Sequence, residues 1–320
     1  MGRLVAAVLE DRHGAGLLTL RFRVAVNATG PWLDRIRRLA DPRSRPIARL
    51  SKGVHAVLPA PDGWRAGLAV SLSGNRASFA LPWHGMLLVG VTDTPYDGDP
   101  AGPAVTPEDL GEVLGGLAPV LPAGLLRFER VLNSFVGLRV LPIGAGDTHN
   151  AAREHVVDVG PTGLVSVGGG KLTTHRWIAR AALERLPREL RPRLRAADEP
   201  IVRAGRADAP VFGDLDADLR THLLSLYGAD AEDVVRLGLD VPGGLERMHP
   251  EAPDVWAQAL YAVEREWAIG PADVARRTTL AVRGVLPPLR ELPGGRFPGS
   301  PVHAVGDEQA KRSADGLWPA

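Results

Sequence analysis

The sequence predicts a mixed α/β part followed by a small all-helical part. Two observations carry this prediction. Up to about residue 186, short β-rich runs alternate with Gly- and Pro-containing turns and a few helices, whereas consecutive helical segments follow from Asp216 onward. The 320 residues, 45% of them hydrophobic, are enough to bury a sizeable core. We therefore expect a soluble globular protein with one large or two ordinary domains.

Two predicted strands open the chain, and a strand, a turn and a helix follow them. Leu4 to Leu9 and Leu17 to Val26 are β-rich and are joined by a glycine-containing turn, which indicates a hairpin. The second run continues into NATGPWLDRIRRLA, where Pro31 suits the first turn of a helix. Further strands are predicted at His55 to Leu58, Ala66 to Val70 and Met86 to Gly90.

The stretch VTPEDLGEVLGGLAPVL predicts a capped helix, with Thr106 as the N-cap, Pro107 at the first helical position and Glu108 in the first turn. The strand pattern returns in VLNSFVGLRVLP and in HVVDVGPTGLVSVGGG. The second of these stretches reads as a hairpin with Pro161 and Gly163 in its turn. A predicted helix, KLTTHRWIARAALERL, begins directly after its three glycines.

Four segments are expected along the chain. Residues 1–190 form the α/β domain, and residues 191–213, rich in Pro, Arg and Ala, form a linker. Residues 214–284 form an all-α domain, and residues 285–320, rich in Pro, Gly and scattered charge, form a disordered tail. The helical segments of the all-α domain are Asp216 to Tyr227, Ala231 to Leu237, Ala252 to Trp267 and Ala272 to Val282.

Composition excludes several classes of function. The formal charge of +1 gives no bulk attraction to nucleic acid or to an anionic membrane. The absence of Cys excludes disulfides, thiolate metal sites and cysteine nucleophiles, and it fits a cytosolic chain. Asp93, Asp97 and Asp99 suggest calcium spacing, but the required Gly and Glu positions are missing, so no metal site is predicted. No apolar run approaches the roughly 20 residues of a membrane span.

The stretch SVGGGKLTTHR is the strongest local signal for a ligand. A helix N-terminus presents unpaired N–H groups, glycines let a ligand approach the backbone, and Lys171 adds a positive charge. An anion or an electron-rich ring edge would bind well there. A tight strand-to-helix turn with a solvated lysine explains the same spacing equally well.

Other polar residues on predicted strands allow two interpretations. Thr92 and Asp93 end an apolar strand, where binding sites of α/β folds tend to lie, although a simple turn is favoured for this stretch alone. His55 could be a general base or a hydrogen-bonded structural residue. Arg139 follows apolar residues and needs an anionic partner, either a protein carboxylate or a substrate phosphate. Arg153 has the same ambiguity.

Taken together, these stretches resemble the FAD-dependent, respiratory-chain (aerobic) glycerol-3-phosphate dehydrogenases. The matching pieces occur in one order: VNATGPW, RLSKGVHAVLP, LVGVTDTPYDGD, TPEDL, NSFVGLR, REH, GGGKLTTHR and EREWAIGPADVARRT. The resemblance implies an FAD-dependent oxidoreductase fold followed by a small all-α domain. It also implies oxidation of sn-glycerol 3-phosphate to dihydroxyacetone phosphate, with electrons passing through FAD to a membrane quinone.

The resemblance also assigns roles to residues. Arg139 grips the substrate phosphate, with Arg153 as second candidate, and His55 lies near the substrate hydroxyl. Lys171 lies beside the isoalloxazine. The implied catalytic set is His55, Thr92, Asp93, Arg139, Arg153 and Lys171. The implied cofactor-binding set is Ala28, Thr29, Gly30, Gly169, Gly170, Lys171, Leu172 and Thr173.

One expected motif is missing from the sequence. The family begins with a strand, GxGxxG and a helix, and no such motif precedes Val26. We therefore expect a truncated family member, its C-terminal two-thirds, that binds FAD weakly or not at all by itself. The expected partners are glycerol 3-phosphate, a membrane quinone, and a second copy or a chain supplying the missing unit. The expected location is the cytoplasm, including a peripheral position at the inner face of the cytoplasmic membrane. The alternatives are a non-catalytic fragment or an amine or amino-acid oxidase of the same flavin fold.

Overall fold

The computed structural model describes residues 2–14, 16–72, 77–143, 155–192 and 204–286. They divide into two compact units, one within residues 1–194 and the other within residues 195–311. The first unit contains, in chain order, β1 (Ala6–Asp11), β2 (Gly16–Arg21), β3 (Val26–Asn27), α1 (Leu33–Ala40), β4 (Ala48–Pro59), β5 (Leu68–Ser71), β6 (Ala77–Trp83), β7 (Met86–Gly90), β8 (Thr94–Tyr96), α2 (Pro107–Gly115), β9 (Asn133–Pro142), β10 (His155–Val159), β11 (Val165–Gly169) and α3 (His175–Glu184).

The strands of the first unit form three sheets. β1 and β2 form the predicted hairpin. β10, β11 and β3 form a second sheet, in which β11 runs parallel to β3 with Val165 opposite Val26. This parallel pairing brings two segments that are far apart in sequence to the same sheet edge.

The six-stranded sheet is organised around the long strand β4. One edge of β4 pairs with β9 over its residues 48–57, and the other edge pairs first with β8 and then with β7. His55 lies opposite Gly90 of β7, whereas Lys52 lies opposite Thr94 of β8, so the partner chain contains one extra residue between these two pairs. Such an insertion is a β-bulge, and it lies at residues 91–93.

Alternate residues of β4 face opposite sides of the sheet. Val54, Ala56 and Leu58 are fully buried in a core that α2 covers. The predicted cap of α2 is confirmed, because Thr106 and Asp109 each accept the backbone N–H of the other. On the same side, Lys52 Nζ lies 2.7 Å from the buried Asp109 carboxylate. The helix is therefore attached to the sheet by apolar packing and by one ion pair.

The sequence-based element order is largely confirmed, with three differences in the large sheet. β4 extends over 12 residues rather than the predicted four. β6 and β8 were not predicted, since Pro82 and Pro95 interrupt their strand patterns. The polar Ser51 and Lys52 concealed the first half of β4, because their partners lie elsewhere in the chain.

In residues 204–286, the part of the second unit that the structure describes, the regular elements are helices, as the sequence predicts. It contains α4 (Ala217–Tyr227), α5 (Ala231–Leu239), α6 (Trp256–Arg265), α7 (Pro271–Arg276) and α8 (Leu280–Arg283). Phe212 and Ala209, which lie in the predicted linker, are buried in its core. The core of this unit therefore begins before the predicted boundary at residue 214, because a large aromatic side chain anchors the preceding turn. The predicted tail from residue 287 onward lies outside the described residues.

Asp254 is the polar centre of the second unit. Its carboxylate is fully buried and accepts the backbone N–H of Thr279 at 2.9 Å, the Thr279 hydroxyl and the Gln258 amide. His222 Nε2 lies 3.3 Å away. Burial raises the pKa of Asp254, but the contacts from His222 and Thr279 outweigh it and lower the pKa overall.

We predict that Asp254→Ala lowers the free energy of unfolding by about 3 kcal/mol at neutral pH, because it leaves several buried donors unpaired. In the parent protein, the contribution of Asp254 is present above its unfolded-state pKa and is lost as the pH falls through the lower folded-state value. Urea unfolding measured by circular dichroism at several pH values tests both statements. Asp214→Asn, an exposed change, is the control. Equal stability of the two variants at neutral pH would contradict the prediction.

Candidate flavin and substrate site

A turn of three glycines connects β11 to α3. Gly169 and Gly170 have positive φ angles of 79° and 81°, a conformation that favours glycine. The Thr174 hydroxyl then closes the turn, accepting the Lys171 N–H at 3.1 Å and donating to the Lys171 carbonyl at 2.9 Å. A short 3₁₀ turn, Leu172–Thr174, leads into α3. The sequence expectation of a strand, a glycine turn and a helix start is therefore confirmed.

A cavity of about 600 Å³ lies against this turn. Its wall combines the loop after β3, the C-terminal end of β9 and the glycine turn. The parallel pairing of β3 with β11 brings the first and the last of these together. Most of the wall is apolar side chain or glycine backbone. The members that were predicted from the sequence are Ala28, Gly30, Arg139, Gly169, Gly170, Lys171, Leu172 and Thr173.

Arg139 reaches the cavity from β9 and is held by the bulge of the large sheet. Its Nη1 donates to the Thr92 carbonyl at 3.1 Å and lies 3.7 Å from Asp93 Oδ1. The Ser51 hydroxyl donates to the same carboxylate. Of the two partners that the sequence left open for Arg139, the structure contains a protein carboxylate, and the guanidinium also lines the cavity.

His55 lies on the same face of β4 as Ser51 and Gly53. Its ring stacks on Phe135, with centroids 5.1 Å apart and planes tilted by 15°, and the ring centroid of Phe79, on β6 beyond β7, lies 5.5 Å away. Burial, together with the positive charge of Arg139, lowers the pKa of His55 to about 4. The imidazole is therefore neutral at physiological pH, and the apolar contacts fix its plane.

Of the predicted site residues that the structure describes, four are not among those that line this cavity: Thr29, His55, Thr92 and Asp93. The Thr92 side chain is fully buried, where its hydroxyl accepts the Val54 N–H at 2.9 Å, so Thr92 offers Arg139 its carbonyl instead. The Thr29 hydroxyl donates to the Asn27 side chain at 2.7 Å and stabilises the turn after β3. Arg153 lies outside the described residues.

Several residues around the site were not predicted. A Cβ atom at Gly53 would lie 2.4 Å from the Arg139 guanidinium, and one at Gly90 would lie 2.3 Å from the His55 ring. Both glycines therefore make room for a functional side chain. Glycine inside a strand often marks such a close approach, and this signal was available in the sequence. Ser51 and Phe135 gave no comparable local signal, since their roles depend on long-range contacts.

Within the described ranges, no three His, Asp or Glu side chains cluster closely enough to hold a metal ion. In the same part of the chain, no helix combines the length and apolar character needed to cross a bilayer.

The fold is that of a flavin-linked oxidoreductase, as two family models show. Residues 3–185 match the family described as FAD dependent oxidoreductase, and residues 163–289 match the C-terminal domain of alpha-glycerophosphate oxidase. The chain belongs to the FAD dependent oxidoreductase family. The fold class expected from the sequence is thereby confirmed.

Within this family, the chain is similar to several glycerol-3-phosphate dehydrogenases. Glycerol-3-phosphate dehydrogenase 2 of Mycobacterium tuberculosis is 32% identical over 295 residues, which cover 88% of this chain and 50% of the relative. A glycerol-3-phosphate dehydrogenase of Synechocystis is 30% identical, covering 80% of this chain and 51% of the relative. The chain thus spans about half the length of these curated relatives. The structure of a Bacillus halodurans glycerol-3-phosphate dehydrogenase complexed with FAD has a TM-score of 0.68 and 26% identity, covering 98% of this chain and 61% of that one.

We predict that His55 titrates at about pH 4 in the folded protein. Proton NMR of the ring hydrogens across the acid range measures this value, and His55→Gln assigns the signal. Phe135→Ala should raise the pKa, because it admits water beside the ring and weakens the desolvation that disfavours the charged form. A signal titrating near the ordinary histidine value of about 6.5 in the parent would contradict the buried environment described above.

Proposed function

We propose that this chain carries the substrate side of an FAD-linked dehydrogenase that oxidises sn-glycerol 3-phosphate to dihydroxyacetone phosphate. One observation carries the proposal: a single cavity combines the glycine turn at Gly169 and Gly170 with the guanidinium of Arg139. The first element suits a flat ring approaching the backbone, and the second suits a phosphate. The similarity to glycerol-3-phosphate dehydrogenases supports the same assignment.

The residues around the cavity fit the ring system of FAD. Glycines 168–170 contribute no side chains beyond the backbone, and Ala28 and Gly30 are small. Backbone N–H groups at the start of the 3₁₀ turn and the charge of Lys171 complement the electron-rich edge of such a ring. When bound, FAD supplies a hydride acceptor for the carbon that bears the substrate hydroxyl. We propose Ala28, Thr29, Gly30 and residues 169–173 as the part of its binding site that this chain provides.

The remaining roles belong to the chain's own side chains. Arg139 binds the substrate phosphate through charge-assisted hydrogen bonds. His55 is neutral at working pH and accepts the proton of the substrate hydroxyl. Burial and the charge of Arg139 disfavour the imidazolium, so His55 presents an unprotonated ring nitrogen and is a weak base. Asp93 acts on Arg139 rather than on the substrate.

The resemblance to glycerol-3-phosphate dehydrogenases also suggests the electron acceptor, the location of the protein and the roles of its two units. We propose a quinone as the final electron acceptor, with the protein at the inner face of the cytoplasmic membrane. We also propose that the α/β unit provides the flavin and substrate contacts and that the helical unit is the accessory domain. A second copy or another chain would complete the FAD site. Arg153 is retained as a second phosphate ligand.

Purified protein with excess FAD tests the proposed function directly. Addition of glycerol 3-phosphate without oxygen should bleach the visible absorbance of bound flavin, because hydride transfer reduces it. Bleaching by an amino acid such as glycine instead would favour the amine or amino-acid oxidase alternative. Weak FAD binding is expected, because another chain would complete the FAD site. Failure of the chain to bind glycerol 3-phosphate even with excess FAD would support a non-catalytic fragment and would overturn the proposal.

We predict that Arg139→Ala weakens binding of glycerol 3-phosphate by about 1.5–3 kcal/mol, the contribution of a charge-assisted contact. Isothermal titration calorimetry on the FAD-supplemented protein measures the dissociation constant. Arg130→Ala removes the same charge from an exposed position and serves as the control. If Arg139→Ala binds as tightly as the parent, Arg139 serves the protein carboxylate alone.

We predict that Lys171→Met slows flavin reduction by at least tenfold, or about 1.4 kcal/mol of barrier, while helical content is unchanged. The substitution keeps the apolar stem and removes the charge that stabilises developing negative charge in the cavity. Stopped-flow absorbance at saturating glycerol 3-phosphate gives the rate. Arg185→Met, at the far end of α3, is the matched control. A rate within about twofold of the parent would show that Lys171 is an ordinary solvated lysine.

A further inference from the structure

The position of Arg139 on β9 does not by itself fix the position of its guanidinium group. Its long side chain has many rotamers, and fixing them costs conformational entropy. β9 places it opposite Ser51 of β4, on the face that also carries Gly53 and His55. The guanidinium occupies the space over Gly53, where a Cβ atom would lie 2.4 Å from Nη2.

The bulge at residues 91–93 supplies two acceptors for this guanidinium. The Thr92 carbonyl accepts from Nη1 at 3.1 Å, and Asp93 Oδ1 lies 3.7 Å from the same nitrogen. Asp93 is itself held, because the fully buried Ser51 donates its hydroxyl to that oxygen. Ser51, Asp93 and Arg139 therefore form a chain of polar contacts that ends at the cavity wall.

We propose that Asp93, oriented by Ser51, is a positioning residue that holds the Arg139 guanidinium over Gly53. From this position the same positive charge lines the cavity and acts on the His55 imidazole. A merely structural ion pair would only add stability. Here the cation lines the cavity and also acts electrostatically on His55. Release of Arg139 from Asp93 would therefore alter anion binding and the basicity of His55 together.

The direction in which Asp93→Asn shifts the pKa of His55 distinguishes two cases. In one, Asp93 positions Arg139; in the other, the substitution only removes a negative charge. Asp93→Asn keeps the shape of the side chain and removes its negative charge. If Arg139 stays in place, His55 faces the same cation with one nearby anion fewer, so its pKa stays equal or falls. If Arg139 is released, its lowering influence is lost and the pKa of His55 rises toward the ordinary value.

NMR titration of His55 in the ligand-free chain is the first experiment. We expect a raised pKa in Asp93→Asn and no change in Asp97→Asn, an exposed carboxylate four residues later. Ser51→Ala keeps the carboxylate and covers the case in which Asp93→Asn does not fold, and it should raise the pKa in the same direction. An equal or lower pKa in the folded variants overturns the proposal.

Two glycine variants test whether the pKa of His55 reports the position of Arg139. Gly53→Ala displaces the guanidinium directly, so it should raise the pKa of His55 to at least the level of Asp93→Asn. Gly137→Ala lies opposite Gly53 in the register, and its new Cβ atom meets nothing within 4 Å, so the pKa should stay at the parent value. No change in Gly53→Ala would show that Arg139 does not act on His55 and would also overturn the proposal.

A second experiment measures ligand binding, and its interpretation rests on the proposed function. Titration with glycerol 3-phosphate and with inorganic phosphate should show affinities weakened on the order of tenfold in Asp93→Asn, but not in Asp97→Asn. If neither ligand binds the parent chain, the proposed function fails, yet the His55 titrations still decide whether Asp93 positions Arg139. Unchanged affinity together with unchanged His55 titration overturns the positioning role itself.

Discussion

The register of β4 is the constraint on which the large sheet and the site both depend. Side chains alternate along a strand, so a slip of one residue would exchange the core face with the cavity face. The ion pair between Lys52 and Asp109 lies on the core side and joins β4 to α2 over a distance of 2.7 Å. Buried ion pairs add little net stability, but an unpaired buried charge is costly, so this pair disfavours any other register.

On the face of β4 opposite the core, this register places three residues of the site in a row. Ser51, Gly53 and His55 follow one another at alternate positions, and the strands on both sides complete them. Neutral, desolvated histidine and a tethered cation are consistent with a site that moves a proton while holding an anion. The fixed geometry arises from packing against Phe135 and Phe79 and from missing Cβ atoms, rather than from a mobile loop.

Local sequence patterns predicted the parts of this protein that depend on local chemistry. The cap at Thr106, the hairpin turn at Pro161 and Gly163, and the glycine turn before α3 all use residues whose backbone preferences are strong. The start of β4 escaped prediction, because polar residues in a strand look like a loop until their distant partners are known. The placement of Thr92 escaped it for the same reason.

The family resemblance grouped several side chains into one site, and only some of them line the cavity in the structure. Arg139, Lys171 and the glycines line it, whereas His55 does not. The resemblance treated Thr92 and Asp93 as pocket residues, whereas both contact Arg139, one through its backbone and the other through its carboxylate. Such supporting roles depend on distances between strands, which no linear motif encodes.

The buried hydroxyl of Thr92 has a consequence for the backbone around it. In an ordinary ladder, the N–H of Val54 would bond to a main-chain oxygen of the neighbouring strand. Here the threonine side chain takes that bond, while the Thr92 N–H faces the Val54 oxygen at 3.4 Å. The side chain has substituted for the peptide group, which leaves the Thr92 carbonyl available to a guanidinium. A peptide oxygen carries no net charge, so it can orient a cation without cancelling the attraction of that cation for a phosphate.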